Sequence, residues 1–260
     1  GGLHWRAERL IEATFANAGY RARALPTATR EDLLAGRELA DIGQCCPTSF
    51  TTGNLANFLK SESARIGPEE VVKRYVYFTC GSCGACRFGQ YHQSYDLALA
   101  NLGLDRFRMM ILDQNPLAQG DKGPGAFRID LPTALGAVWG AICGDLIQGL
   151  EYRTRPFEVE RGATDRAARQ AVDLLADAFR NRPKRGKRWG SLAWHVASPY
   201  FASAMREARA FFDQVEVDRL RPKPVVQITG EFYLHSVEGD PNYNMHAWLE
   251  SEGAEVIPAT

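Results

Sequence analysis

The sequence predicts an α/β protein with mostly parallel strands, and three observations lead there. Residues 75–112 run strand, glycine-containing loop, helix, strand, which is the βαβ order. Residues 224–257 run through the same order a second time. Between them lie long stretches with apolar residues at helical spacing.

The elements follow along the chain. Residues 5–18 place Leu10, Ile11, Phe15 and Ala18 near one helical face, and Gly19 supplies the stop. Tyr20 to Leu25 reads as a short strand left through Pro26-Thr27. Thr29-Arg30-Glu31-Asp32 has the order of a capped helix start. A loop after a strand is expected to carry Gly43-Gln44-Cys45-Cys46-Pro47, and Thr51-Thr52-Gly53-Asn54 to lead into a helix through Leu55, Phe58 and Leu59.

Tyr75-Val76-Tyr77-Phe78-Thr79 is β-branched and aromatic, as a buried strand is. It runs straight into Cys80-Gly81-Ser82-Cys83-Gly84-Ala85-Cys86. Gln90 to Asn101 is helical and closed by Gly103, and Phe107 to Leu112 is the next strand. Residues 133–150 form a long apolar helix whose Gly136, Gly140 and Gly144 leave room for another backbone. Tyr152 to Glu158 interrupts it. Thr164 to Arg180 and Trp189 to Val215 are two further helices flanking the basic run Arg180–Arg188. Val225 to Glu231 is a strand entering a glycine turn, Asn244 to Ser251 a helix, and Gly253 precedes a last strand. The expected organisation is a cluster-binding α/β lobe at 1–155, a helical segment at 156–222 and the start of a second α/β lobe at 223–260. A sheet that stops as it starts suggests a piece of a longer chain.

Composition narrows the function. Thirty-one basic and 31 acidic residues balance, so neither nucleic acid nor an anionic membrane surface is an expected partner. No apolar run reaches the ~20 residues of a membrane span, and the first residues show no signal-peptide core. A cytoplasmic location is expected.

Five of the six cysteines, Cys45, Cys46, Cys80, Cys83 and Cys86, lie close in sequence. In a reducing compartment such a group binds metal or does redox chemistry more often than it forms disulfides. Thiolates two residues apart converge on one centre, as iron–sulfur clusters and zinc both require. Gly81 and Gly84 free the backbone to wrap, and Arg87 brings positive charge. The fourth cysteine and following proline of a ferredoxin run are replaced by Gln90-Tyr91. The remaining ligand is expected from Cys45-Cys46-Pro47. The metal ligands read from the sequence are therefore Cys45, Cys80, Cys83 and Cys86, with Arg87, Gln90 and Tyr91 beside the cofactor. A structural zinc site is the alternative. Cys143, in an apolar helix, reads as a small buried hydrophobe. His92 and His195 are candidate acid–base groups weighed against plain surface histidines, and Glu231 a candidate cleft residue. Gly120 to Gly125 lacks the Walker pattern.

Four stretches carry a family resemblance. Gly43-Gln44-Cys45-Cys46-Pro47 with Gly53-Asn54 is the first. Gly84-Ala85-Cys86-Arg87-Phe88-Gly89-Gln90-Tyr91 is the second and most specific. Arg153-Thr154-Arg155-Pro156-Phe157-Glu158 with Gly162-Ala163-Thr164-Asp165 is the third. Ile228-Thr229-Gly230-Glu231-Phe232-Tyr233 with Asn242 to Glu250 is the fourth. Together they resemble the 2-hydroxyacyl-CoA dehydratase D-component and benzoyl-CoA reductase superfamily. The nearest branch is the domain found in large CoA-substrate-specific activases. The resemblance spans about residues 15–255 and implies Rossmann-like lobes with a helical part, holding a 4Fe–4S or larger cluster. It implies a low-potential electron from an ATP-dependent activator protein or domain, an acyl-CoA as a possible substrate and a dimeric assembly. Cys45 and Cys86 match the family's first two cysteines, while Cys80 and Cys83 depart from its pattern. A non-catalytic relay or docking module of a large activase is the alternative within the resemblance.

Overall fold

The computed structural model describes residues 2–81, 86–112, 129–183 and 189–258. Cys83, the Gly120–Gly125 loop and residues 184–188 of the basic run lie outside the described residues, as do the side chains of Cys80 and Arg87. The chain is mostly helical with two small parallel sheets, an α/β composition. It forms two compact units. One is built on Leu25–Arg128. The other is built on Leu3–Ala24, Ile129–Glu238 and Asn242–Thr260.

The first unit contains α2 (Arg30–Leu39), α3 (Cys46–Ile66), α4 (Pro68–Arg74), β1 (Val76–Cys80), α5 (Tyr91–Asn101) and β2 (Arg108–Leu112); α1 belongs to the second unit. The predicted Thr29 start holds: Thr29 Oγ1 accepts from the Asp32 amide and Asp32 Oδ2 from the Thr29 amide, a reciprocal capping box. β1 and β2 pair in parallel, with Val76 opposite Arg108 and Cys80 opposite Leu112. Leu55, Leu59, Val71, Tyr91, Tyr95, Leu99, Leu104 and Phe107 form the core against which the sheet and α3 pack.

Two expectations fail here. Tyr20 to Leu25 forms no strand; beyond the turn at Gly19 (φ 95°) it stays irregular, with the Ala24 amide given to Glu12 Oε2. A carboxylate is a local alternative to a strand partner for that amide. And α3 begins at Cys46, not after Thr52, so Cys45 caps a helix that follows α2 rather than closing a strand. Pro47 in the first turn needs no amide partner there, which makes the segment a helix start. Gly53, expected in the lead-in to the helix, lies inside it for a steric reason. A Cβ on Gly53 would stand 1.7 Å from the Asp32 carbonyl oxygen, and one on Gly36 would stand 1.8 Å from that of Ser49. The two glycines let the α2 and α3 backbones touch.

The second unit contains α1 (Trp5–Asn17), α6 (Leu131–Thr154), α7 (Ala163–Arg180), α8 (Trp189–Ala197), α9 (Tyr200–Asp213), β3 (Val225–Ile228), α10 (Phe232–Ser236), α11 (Met245–Ser251) and β4 (Glu255–Pro258). The predicted helix at 189–215 is two, because Pro199 cannot donate to the preceding turn. The short α10 was not anticipated. β3 and β4 pair in parallel as expected. The glycine row on α6 serves α1: a Cβ on Gly144 would lie 2.7 Å from Ala7 Cα, and one on Gly140 3.4 Å from the Ile11 amide nitrogen. Leu10, Ile147, Leu175, Phe179, Phe201 and Phe212 centre the core. Against the expectation from apolar run length, Leu131–Phe157 is long and apolar enough by composition to cross a membrane. Its leucines, isoleucines and alanines raise the hydropathy, and its Gly140 and Gly144 side meets α1.

A buried ion-pair ring joins the ends of this unit. Glu151 takes Arg6 Nε on Oε2 (2.7 Å) and Arg155 Nη1 on Oε1 (2.8 Å). Glu238 takes Arg6 Nη2 on Oε1 (3.2 Å) and Arg155 Nη2 on Oε2 (3.1 Å). Glu250 adds a two-pronged contact to Arg155. Burial opposes ionisation of Glu238, but Arg6 and Arg155 outweigh it and hold its carboxyl below the usual range. For Glu151 burial wins over the same arginines and the pKa rises.

Next to the ring, His246 is stacked on Tyr152 (4.9 Å, 14°) and accepts a 2.6 Å hydrogen bond from Asn242 Nδ2 at Nδ1. Burial pushes its pKa down to about 4, with Arg155, Arg6 and His235 adding to the effect and Glu238 opposing it.

Two outcomes follow. Gly53→Ala separates α2 from α3 and lowers urea-measured stability by about 3 kcal/mol, the upper part of the overpacking range. The folded pKa of His246 lies below its unfolded value of 6.5, so its contribution is complete above pH 6.5 and is lost as pH falls toward 4. His246→Phe keeps the stack and flattens that part of the stability–pH profile, by roughly 3 kcal/mol over the full titration.

Candidate metal centre

The predicted ligands come from two helix starts in the first unit. Cys45 is the N-cap of α3, with extended backbone angles (φ −67°, ψ 155°). Its side chain is half-buried, packs against the core of the unit, and holds Thr48 Oγ1 at 3.0 Å. Cys86 is exposed and starts the 3-10 turn Arg87–Gln90 that leads into α5. Tyr91 is the first residue of α5 and 5% exposed, and its hydroxyl lies 3.3 Å from Cys45 Sγ. The Cys45 sulfur thus touches the helix that follows the Cys80–Cys86 segment. Sequence reading placed Tyr91 beside the cofactor but did not foresee its bond to a thiol.

The strand exit closes tightly on this turn. Gly81 is buried, and a Cβ on it would stand 2.6 Å from Ile111 Cγ2 and 3.5 Å from the Gly89 carbonyl. Only glycine fits without displacing Ile111. The position of that Cβ is also 4.0 Å from His92 Nδ1, a buried nitrogen with no hydrogen-bond partner among the described residues. The 21-residue α3 and the 11-residue α5 therefore both start at this place. Their positive dipole ends suit an anionic thiolate-bound group.

The remaining candidates separate. Gln90 is an exposed N-cap of α5, away from Tyr91's buried position. Cys46 is half-buried beside Cys45. Cys143 is buried, and burial pushes its thiol up to about 12, so it stays a neutral hydrophobe as its sequence context suggested. Among the described residues no three histidine, cysteine, aspartate or glutamate side chains gather as a metal-binding group. His195 is a correction: it is 2% exposed, not a surface residue, and its Nδ1 donates to the Ser191 carbonyl at 2.8 Å. The i, i+4 spacing to Ser191 on a helix rich in tryptophan was the available signal. Glu231 caps α10 by accepting from the Leu234 amide.

No family model, no curated protein and no solved structure matches the chain.

Tyr91→Phe keeps the ring packed on Phe88 (5.4 Å) and removes only the hydroxyl at Cys45. Losing one partly buried hydrogen bond is expected to cost about 1 kcal/mol. Calorimetry is expected to show Tm falling by about 2–4 °C.

Proposed function

We propose that the chain is an iron–sulfur redox protein related to the 2-hydroxyacyl-CoA dehydratases, with cysteines from the Cys45 and Cys80–Cys86 segments as ligands. The observation that carries the reading is the 3.3 Å contact between Cys45 Sγ and Tyr91 Oη, on the helix that follows Cys86. The donor set fits the group: thiols preceding two helices, with hydroxyls of Thr48 and Tyr91 at one of them. Bound there, a cluster would supply low-potential one-electron chemistry.

The chain's own residues do the holding. With Cys45 ionised as a ligand, Tyr91 Oη and Thr48 Oγ1 become hydrogen-bond donors to its sulfur, which fixes the side chain and tempers its charge. Gly81 lets the strand exit approach the Gly89 carbonyl at the start of the helix that follows Cys86. Cys86, exposed at the head of its turn, leaves one side of the site open to a partner or substrate. The two parallel strand pairs support reading the lobes as Rossmann-like. An ATP-hydrolysing activator is the expected electron source and an acyl-CoA the expected substrate class.

Protein purified without oxygen is expected to contain iron and acid-labile sulfide, absorb in the visible range and give an EPR signal on reduction. Cys45→Ser and Cys86→Ser lose most of the iron, whereas Cys143→Ser retains it. Stoichiometric zinc with no sulfide sinks the proposal.

A further inference from the structure

The ion-pair ring of the second unit lines a cleft of about 200 Å³ together with Trp5, Asp165 and Arg169. Its hydrogen bonds do not close. Arg155 gives Nε and Nη2 to Glu250, Nη2 to Glu238 and Nη1 to Glu151. Arg6 gives Nε to Glu151 and Nη2 to Glu238. Each oxygen of Glu151 and Glu238 already accepts one of these bonds. Arg6 Nη1 is left buried with no partner among the described residues, on a side chain only 2% exposed. A buried charged donor without an acceptor is costly.

Arg169 lines the same cleft from the exposed side of α7 and pairs with no carboxylate among the described residues. Two arginines that line the cleft thus keep a donor without a partner among the described residues, Arg6 at a buried Nη1 and Arg169 at an exposed position. Over the whole lining Arg6, Arg155 and Arg169 balance Glu151, Glu238 and Asp165, and Asp165 lies against Arg155 at 3.5 Å. Trp5 and Arg6 stand in the first turn of the 13-residue α1, and Asp165 in that of the 18-residue α7. Two positive dipole ends thus border the space. Its volume is below the 300–1,000 Å³ common for drug-sized ligands and cofactors, so it suits a small ion rather than a nucleotide or a CoA.

We propose that this cleft binds a small carboxylate or phosphate anion through Arg6 Nη1 and Arg169. The fork geometry of guanidinium matches both oxyanions. Trp5 is a built-in reporter, since the Arg6 guanidinium carbon lies 5.0 Å from its ring centre.

The test titrates the full chain with malonate and, separately, with inorganic phosphate, chloride holding the ionic strength constant. Heat and tryptophan fluorescence are followed together. At least one probe is expected to saturate at one ion per chain, and the difference between the two assigns carboxylate or phosphate. Arg169→Ala, at an exposed position, keeps the parent Tm and weakens binding about tenfold or more. Trp5→Phe abolishes the fluorescence change; a change that persists in this variant reports an ion bound elsewhere and overturns the proposal. No saturable heat with either probe overturns the proposal. Binding undiminished in Arg169→Ala means an adventitious ion only, and overturns it equally.

Discussion

The second unit depends on a ring of two arginines and two glutamates that cannot be taken apart piecemeal. Arg6 and Glu151 are 2% and 3% exposed at the side chain, so neither can fall back on water if the other is lost. Removing one member of such a pair leaves a buried charge, at a cost of roughly 3–5 kcal/mol. The members come from the start of α1, the end of α6, the segment after α10, and, through Glu250, from α11. A constraint between residues 6, 151, 155, 238 and 250 ties the first helix to α6, to the segment after α10 and to α11. The opposite pKa directions of Glu151 and Glu238 follow from the same geometry: both face the same cations, but burial outweighs the field at one and yields at the other.

Helix contact through glycine is the second constraint, and it works in each unit. Gly36 and Gly53 bring α2 and α3 to backbone contact, and Gly140 and Gly144 do the same for α6 and α1. In the first unit this has a consequence for chemistry. Cys45 caps α3, so the position of its sulfur depends on how closely α3 seats on α2. Tyr91 then meets that sulfur because α5 shares its core with α3. A helix pair held by steric fit rather than by flexible side chains gives a thiol a defined place.

Much of the local structure was legible in the sequence because local physics decided it. The Thr29 capping box, the β-branched strand at Val76–Cys80, the stop at Gly19 and the glycine row of α6 each rest on neighbours within a turn or a strand. The failures share a different cause. Gly53 was placed before the helix rather than inside it because nothing local shows that Asp32 lies against it. Tyr20 to Leu25 looked like a strand because strand propensity says nothing of whether a partner strand exists. His195 looked like a surface residue because its burial is set by Phe201 and Trp194, which a separate helix and the preceding residue supply.

The sequence by itself determined the helix and strand types, the parallel βαβ order and the cysteine segments worth attention. These follow from side-chain periodicity, backbone propensity and ligand chemistry, all carried by adjacent residues. Only the tertiary structure decided that Cys45 caps a helix and touches Tyr91, 46 residues later in the chain. It alone decided that Arg6 is buried between carboxylates 145 and 232 residues away. Bonds at that separation are set by packing of whole elements, and no window of sequence contains both partners.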